Sequence, residues 1–161
     1  MTLKAGDAIP DVSFTMMGAS GPEPIKAKDY FAGRKVMLFS VPGAYTPTCH
    51  KTHLPGFVAK AANIKAKGVD AVSVTAVNDI FTLDAWLEAS GAKGKVDGLA
   101  DGSAVFAKAI GLELDLTDHG LGLRGKRFSA LVTNGVVEWI EVEENSSACT
   151  VSSAESALAR L

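Results

Sequence analysis

Cysteine is scarce in this chain: two in 161 residues, Cys49 and Cys149, one hundred positions apart. That is too few for a disulfide framework, and a reducing, cytoplasmic compartment is the expected setting. No apolar run approaches the roughly 18 residues that a membrane span needs. The first residues, Met1 to Asp7, lack the apolar stretch of a secretory signal. An excess of positive charge is missing too: 16 Lys+Arg stand against 18 Asp+Glu, a net charge of -2, which offers no basic surface to nucleic acid. Repeats, low-complexity tracts and linkers are absent, so a single domain over residues 1–161 is expected. With 47% hydrophobic and 21% charged residues, the chain has enough apolar material to fill one core.

What the chain does have is one cysteine in an unusual setting. Val36 to Val41 is apolar at nearly every position, as in a central strand covered on both faces. The turn Pro42-Gly43-Ala44-Tyr45-Thr46-Pro47-Thr48 follows, and Cys49 then opens a helix in which Leu54, Phe57, Val58, Ala61 and Ala62 recur at helical spacing. A thiol at a helix N-terminus meets unpaired backbone N–H groups and the positive dipole end, which favour an anion. Thiolate is the reactive form of cysteine, so Cys49 is a candidate nucleophile. Thr46 can present its hydroxyl as donor and acceptor beside the sulfur, while Pro42 and Pro47 stiffen the turn. Pro55 cannot donate a bond back to residue 51, so the turn carrying Cys49 is expected to be loosely coupled to the rest of the helix.

Elsewhere strands and helices alternate. Val69 to Val77 reads as a second two-faced strand, and Asn78-Asp79 as the cap of a helix containing Phe81, Leu83, Trp86 and Leu87. This pattern predicts an α/β sheet with right-handed crossovers. Val12 to Thr15 reads as a short edge strand, Gly18 to Pro24 as a loop, and Leu112 to His119 as irregular. Asn134-Gly135, between Arg127–Thr133 and Val136–Val142, is a strong hairpin signal. Counting back from Thr133 opposite Val136 sets Arg127 opposite Val142. Asp101 or Ser103 is expected to cap a short helix through Phe106, and Ser152-x-x-Glu155 reads as the capping box of a last one.

Several motifs fail in context. Gly120-Leu121-Gly122-Leu123-Arg124-Gly125 spells G-x-G-x-x-G, but a dinucleotide site needs a strand before it and a helix after. Here the glycines lead into a strand with no comparable strand before them, so a flexible approach loop is the better reading. A disulfide-exchange motif needs a second cysteine at position 46 or 52, and both hold threonine. Cys49, His50 and His53 lack the further ligands of a metal centre, so neither metal nor cofactor is expected. A cysteine hydrolase needs a base and an orienting carboxylate; His53 and His119 are the available bases, with no third member.

The segment Val41 to Cys49, continued by His53-Leu54-Pro55-Gly56-Phe57, closely resembles the active-site segment of type-5 (type II) peroxiredoxins. The resemblance extends to Ser73-Val74, Val77-Asn78-Asp79, Phe81, Trp86 and Lys126-Arg127-Phe128-Ser129. It implies a thioredoxin-like fold, a central mixed β-sheet flanked by helices on both faces, and reduction of hydrogen peroxide and organic hydroperoxides. On matching positions it implies Cys49 as the peroxidatic cysteine, Thr46 and Arg127 as its polar partners, and Pro42 as a pocket wall. It further implies a homodimer paired beside the active site, where Phe81 and Trp86 are candidates, and an electron donor that is glutathione with glutaredoxin, or thioredoxin.

Cys149 stays open between two readings. One is a resolving cysteine within the same chain, although it stands about two positions earlier than the Ser152 helix would suggest. The other is a small buried apolar side chain. Glu141, Glu143 and Glu144 are expected to raise its pKa. His53 either orients the pocket or merely packs, and Arg124 either helps hold the Cys49 loop or is an exposed loop arginine. A non-catalytic redox sensor using the same Cys49 is the alternative to an enzyme.

Overall fold

In the computed structural model, which describes all residues from Met1 to Leu161, the sheet is laid out by where the chain is apolar on both faces. In chain order the strands are β1 (Ser13–Gly18), β2 (Gly21–Lys26), β3 (Lys35–Ser40), β4 (Ala71–Ala76), β5 (Asp97–Ala100), β6 (Glu113–Leu116), β7 (Gly122–Gly125), β8 (Phe128–Thr133) and β9 (Val136–Val142). The helices are α1 (Ala27–Phe31), α2 (Leu54–Ala66), α3 (Ile80–Ala89), α4 (Val105–Ala109) and α5 (Ala154–Ala159). Seven strands form one mixed sheet in the order β2-β1-β5-β4-β3-β8-β9, while β6 and β7 pair separately. β3 and β4 are buried almost throughout and lie parallel near its centre, where helices can cover both faces.

Alternation along β3 divides the core. Met37, Phe39 and Val41 pack with Leu54 and Phe57 of α2, Leu83 and Trp86 of α3, and Ala154 of α5. Val36 and Leu38 point the other way, towards Phe14, Phe31 of α1 and Phe106 of α4. Phe39 stacks on Phe57 with centroids 4.1 Å apart, which sets α2, and with it the turn bearing Cys49, against the end of β3.

Several features depart from the sequence reading. Gly18–Pro24 is not a loop: β2 runs from Gly21 and forms the sheet edge, where Pro22 and Pro24 need no inward N–H, and β1 is interior. Leu112–His119 is not irregular either, because β6 pairs residue for residue with β7 and so a strand does precede the glycine motif. No helix follows β7, so the dinucleotide geometry is still lacking. The Asn134–Gly135 turn forms as expected, with φ of 48° and 77°, but β9 holds one extra residue between the partners of Val132 and Leu131. The bulge slips the register, so Phe128 faces Val142, and the Arg127 carbonyl instead accepts from Glu143 N at 2.9 Å. The last helix is capped by Ser153, which accepts from Ser156 N, and not by Ser152.

Pro55 does not interrupt the helix. The chain from Cys49 to His53 forms a wide π-helical turn, in which Leu54 N–H reaches back five residues to the Cys49 carbonyl, and it continues directly into α2. Pro55 stands in the first turn of α2, directly after this turn, and the wide π-helical turn before it accommodates the missing donor. Asp101 caps α4 at a distance: Ala104 holds the N-cap position with φ 58°, and the Asp101 carboxylate accepts from Phe106 N and Ala107 N.

Candidate active site

Two stretches distant in sequence meet at the end of β3. The strand leads into Pro42 and the turn, the π-helical turn that follows holds Cys49, and the residue just before β8 supplies Arg127. Cys49 is fully buried, and Arg127 is 2% exposed. Arg127 Nη2 donates to Cys49 Sγ at 3.0 Å, Nη1 donates to His53 Nδ1 at 2.9 Å, and Nε donates to the Ser146 carbonyl at 3.1 Å. A buried guanidinium normally has a carboxylate partner, yet none of the four ion pairs in the molecule involves Arg127.

His53 is fully buried between two partners. Arginine can only donate, so Nδ1 carries the lone pair, Nε2 carries the proton, and Nε2–H donates to the Ser152 carbonyl at 2.9 Å. Burial first, and the neighbouring Arg127 charge second, push the His53 pKa down to about 3, against smaller opposing effects of Ser152 and Glu143. The ring is therefore neutral at ordinary pH. His53 orients the guanidinium, which settles the choice left open by the sequence.

Glu143 underpins Ser152. Its carboxylate accepts from Ser152 N at 2.9 Å, Ser152 Oγ at 2.8 Å and Thr150 N at 2.6 Å. Burial pushes the Glu143 carboxyl up, but the bonds from Ser152 and Thr150 outweigh it and leave the pKa below its ordinary value. Sequence reasoning named Glu143 only as a charge near Cys149. Its anchoring position follows from the β9 bulge, which has no marker in the sequence.

Pro42, Thr46 and Arg127 line one cleft of about 370 Å³, together with Thr48, Leu116, His119 and Leu121. Thr46 Oγ1 donates to the Gly43 carbonyl at 2.7 Å, not to the sulfur, leaving its acceptor capacity unused. Arg124 is a loop clasp: Nη1 donates to Val77 O at 3.1 Å and Pro42 O at 3.4 Å. Asn78, read only as part of a cap, also accepts from Ala44 N at 2.9 Å. His50 turns away from His53 and accepts from Trp86 Nε1.

Cys149 does not line that cleft. It lines a separate groove with Thr52, Gly56 and Lys60 of the helix, and both cysteines are free thiols. Its pKa is raised, chiefly by burial; of the three neighbouring glutamates, Glu143 adds to the effect, and Arg127 opposes it. Trp86 is fully buried, whereas Phe81 is 66% exposed, so the two aromatics singled out for an interface separate into core and surface.

The family model described as Redoxin matches residues 4–158. The chain belongs to that family. It is 43% identical over 166 residues to the chloroplastic peroxiredoxin-2E-2 of Oryza sativa subsp. japonica, covering 99% of this chain and 73% of that one. It is 41% identical over 160 residues to peroxiredoxin-2D of Arabidopsis thaliana, covering 99% and 98%. Its fold superposes with a TM-score of 0.94 on reduced Prx3 from Vibrio vulnificus in complex with H2O2, at 42% identity and 99% coverage of each chain. The fold is therefore thioredoxin-like, and the enzyme is a peroxiredoxin. As a peroxiredoxin it is a thiol-dependent peroxidase, acting on a peroxide with a thiol as reductant. No helix of this peroxiredoxin is long and apolar enough to cross a membrane.

Proposed function

We propose that this peroxiredoxin, of the type-5 kind, reduces hydrogen peroxide and organic hydroperoxides through Cys49. The observation that carries the reading is the 3.0 Å contact between Arg127 Nη2 and Cys49 Sγ in a site where the guanidinium has no carboxylate. Cys49 reacts as a thiolate, which supplies the counter-charge that the buried cation otherwise lacks. The sulfur attacks one peroxide oxygen, the O–O bond breaks, and the departing oxygen takes the electron pair as alkoxide or hydroxide. Arg127, which keeps an Nη–H beyond those given to Cys49 and His53, serves that charge as it develops, where donors lower a barrier most, while Thr46 Oγ1, its own proton held by Gly43 O, can accept the O–H of the incoming peroxide. Pro42 walls the cleft without adding a donor.

The product on Cys49 is a sulfenic acid, which condenses with a second thiol and releases water. The donor of that thiol is glutathione with glutaredoxin, or thioredoxin; Cys149 is the resolving candidate within the chain. Two free thiols suit a reducing, cytoplasmic setting. Exposed Tyr45, which lies over His50 beside Cys49, and exposed Phe81 on α3 support pairing of two copies.

Peroxide consumption measured separately with glutathione plus glutaredoxin and with thioredoxin tests this reading. Turnover with at least one donor, abolished by Cys49→Ser, is the expected result. Undiminished turnover in Cys49→Ser would overturn the assignment. A fast Cys49-dependent burst without turnover would favour a redox sensor.

A further inference from the structure

Cys49 is fully buried, so its oxidised sulfur cannot reach another thiol until the turn around it opens. Backbone bonds resist that opening. His50 N donates to Thr46 O at 2.8 Å, Leu54 N–H closes the π-helical turn on Cys49 O, and Pro55 has no donor to add. Side chains supply the rest: Thr48 Oγ1 donates to Ser147 O at 2.8 Å, and Trp86 Nε1 donates to His50 Nδ1 at 3.0 Å.

The second of these differs in its anchor. Trp86 is fully buried in the core cluster shared by α2 and α3, and it cannot follow His50 outward. Its indole N–H has His50 as its hydrogen-bond partner, and His50 is the residue next to the reacting cysteine. Tyr45 lies over the same imidazole, with centroids 5.6 Å apart, and 6.5 Å from the Trp86 ring. When the turn opens, this cluster parts and a buried donor loses its partner, a loss that favours the closed turn.

We propose that the Trp86–His50 hydrogen bond is the fastening that sets how long oxidised Cys49 stays inside the closed turn. This inference rests on Cys49 being the sulfur oxidised by peroxide. Two reactions compete for the sulfenic acid. In one, the turn opens and a thiol displaces the sulfenic oxygen, forming a disulfide and one water. In the other, the turn stays closed and a second peroxide transfers an oxygen atom, giving sulfinic acid and one alcohol or water. Neither His50 nor Trp86 hydrogen-bonds the sulfur or Arg127, so they act on the choice between these routes and not on the first oxidation. His50 is a positioning residue in this sense.

The test compares Trp86→Phe, His50→Ala and His50→Asn with the native enzyme. Stopped-flow gives the rate of Cys49 oxidation by hydrogen peroxide, a glutathione pulse gives the rate of mixed-disulfide formation, and mass spectrometry gives the sulfinic fraction at fixed peroxide. Trp86→Phe and His50→Ala are expected to form the mixed disulfide about tenfold faster, the size of one net hydrogen bond in an opening equilibrium. Their sulfinic fraction falls correspondingly while the first oxidation keeps its rate. His50→Asn offers an amide oxygen near the Nδ1 position and is expected to restore native partitioning, which a loss of packing alone would not do. An unchanged ratio of disulfide to sulfinic product in both His50→Ala and Trp86→Phe would overturn the proposal. Failure of native Cys49 to oxidise at all would instead overturn the assignment of Cys49, a distinguishable result.

Discussion

Arg127 Nη1 donates to the neutral ring of His53 at 2.9 Å, so the group that steers the guanidinium onto Cys49 adds no negative charge of its own. A carboxylate in that place would compete with the thiolate for the same cation. A neutral ring, itself fixed by Ser152, supplies direction and, in the proposed reaction, leaves the full positive charge for the sulfur and the departing oxygen.

Replacing Arg127 by lysine keeps the charge but loses the fork that reaches His53, Ser146 and Cys49 together. The second-order rate constant for hydrogen peroxide is expected to fall about 100-fold or more, the usual cost of removing a preorganised donor. Stopped-flow measurement checks this, and an Arg127→Lys enzyme as fast as the native one removes the residue from the mechanism.

His53 ties stability to pH. Its pKa drops from 6.5 to about 3 on folding, so between those values the unfolded chain binds the extra proton. The His53 contribution to stability is therefore fully present above pH 6.5 and is lost as pH falls towards 3, with a limiting slope of about 1.4 kcal/mol per pH unit from this one group. Urea unfolding between pH 7 and pH 4 should show this decline, and His53→Gln should flatten it. Glu143, whose pKa is lowered on folding, adds its own loss only below its ordinary value of 4.5.

Glu143→Ala leaves Ser152 N–H, Ser152 Oγ–H and Thr150 N–H without their acceptor. A loss of about 1–3 kcal/mol of stability is expected. The loop bearing Cys149 should loosen as well, read as faster alkylation of that thiol in the Cys49→Ser background. Unaltered alkylation would show that Glu143 does not hold the loop.

Cys149→Ser separates the two reducing cycles. If Cys149 resolves Cys49, peroxide treatment of the native enzyme yields a Cys49–Cys149 bridge in peptide mass spectra, and the variant loses turnover with thioredoxin. If the cycle uses one cysteine, no bridge forms and turnover with glutathione and glutaredoxin survives the substitution.

Phe81→Asp places a charge on the most exposed aromatic of α3. For a dimer formed beside the Cys49 turn, the expected outcome is dissociation to monomer by light scattering. A native assembly that keeps its mass in this variant pairs through another surface.

Much of this was legible because the relevant signals are local. β3 and β4 announce themselves by being apolar on both faces, and Asn134-Gly135 does so because a type I′ turn needs two positive φ angles. The setting of Cys49 needs only a strand, a turn and a helix in succession. Longer-range features left less trace. The fate of His53 depends on Arg127 and Ser152, far away in the chain. Phe81 and Trp86 are both apolar on one helix, but five positions turn about 140°, so they cannot share a face. A strand containing Pro22 and Pro24 is acceptable only at a sheet edge, and edge placement is a property of the finished topology.

The extra residue in β9 has a last consequence, for which changes of length the hairpin can absorb. Upstream of it, Val137 sides with α1 and α4; downstream, Trp139 lies against the opposite layer. Excising Glu138, the exposed residue between them, would straighten the ladder and still leave Trp139 and Glu143 turned as they are. Excising any residue from Ile140 to Val142 would rotate Glu143 to the far side of the sheet, and the clasp on Ser152 would go with it. One strand therefore tolerates a deletion at its bulge that it cannot tolerate a few residues later.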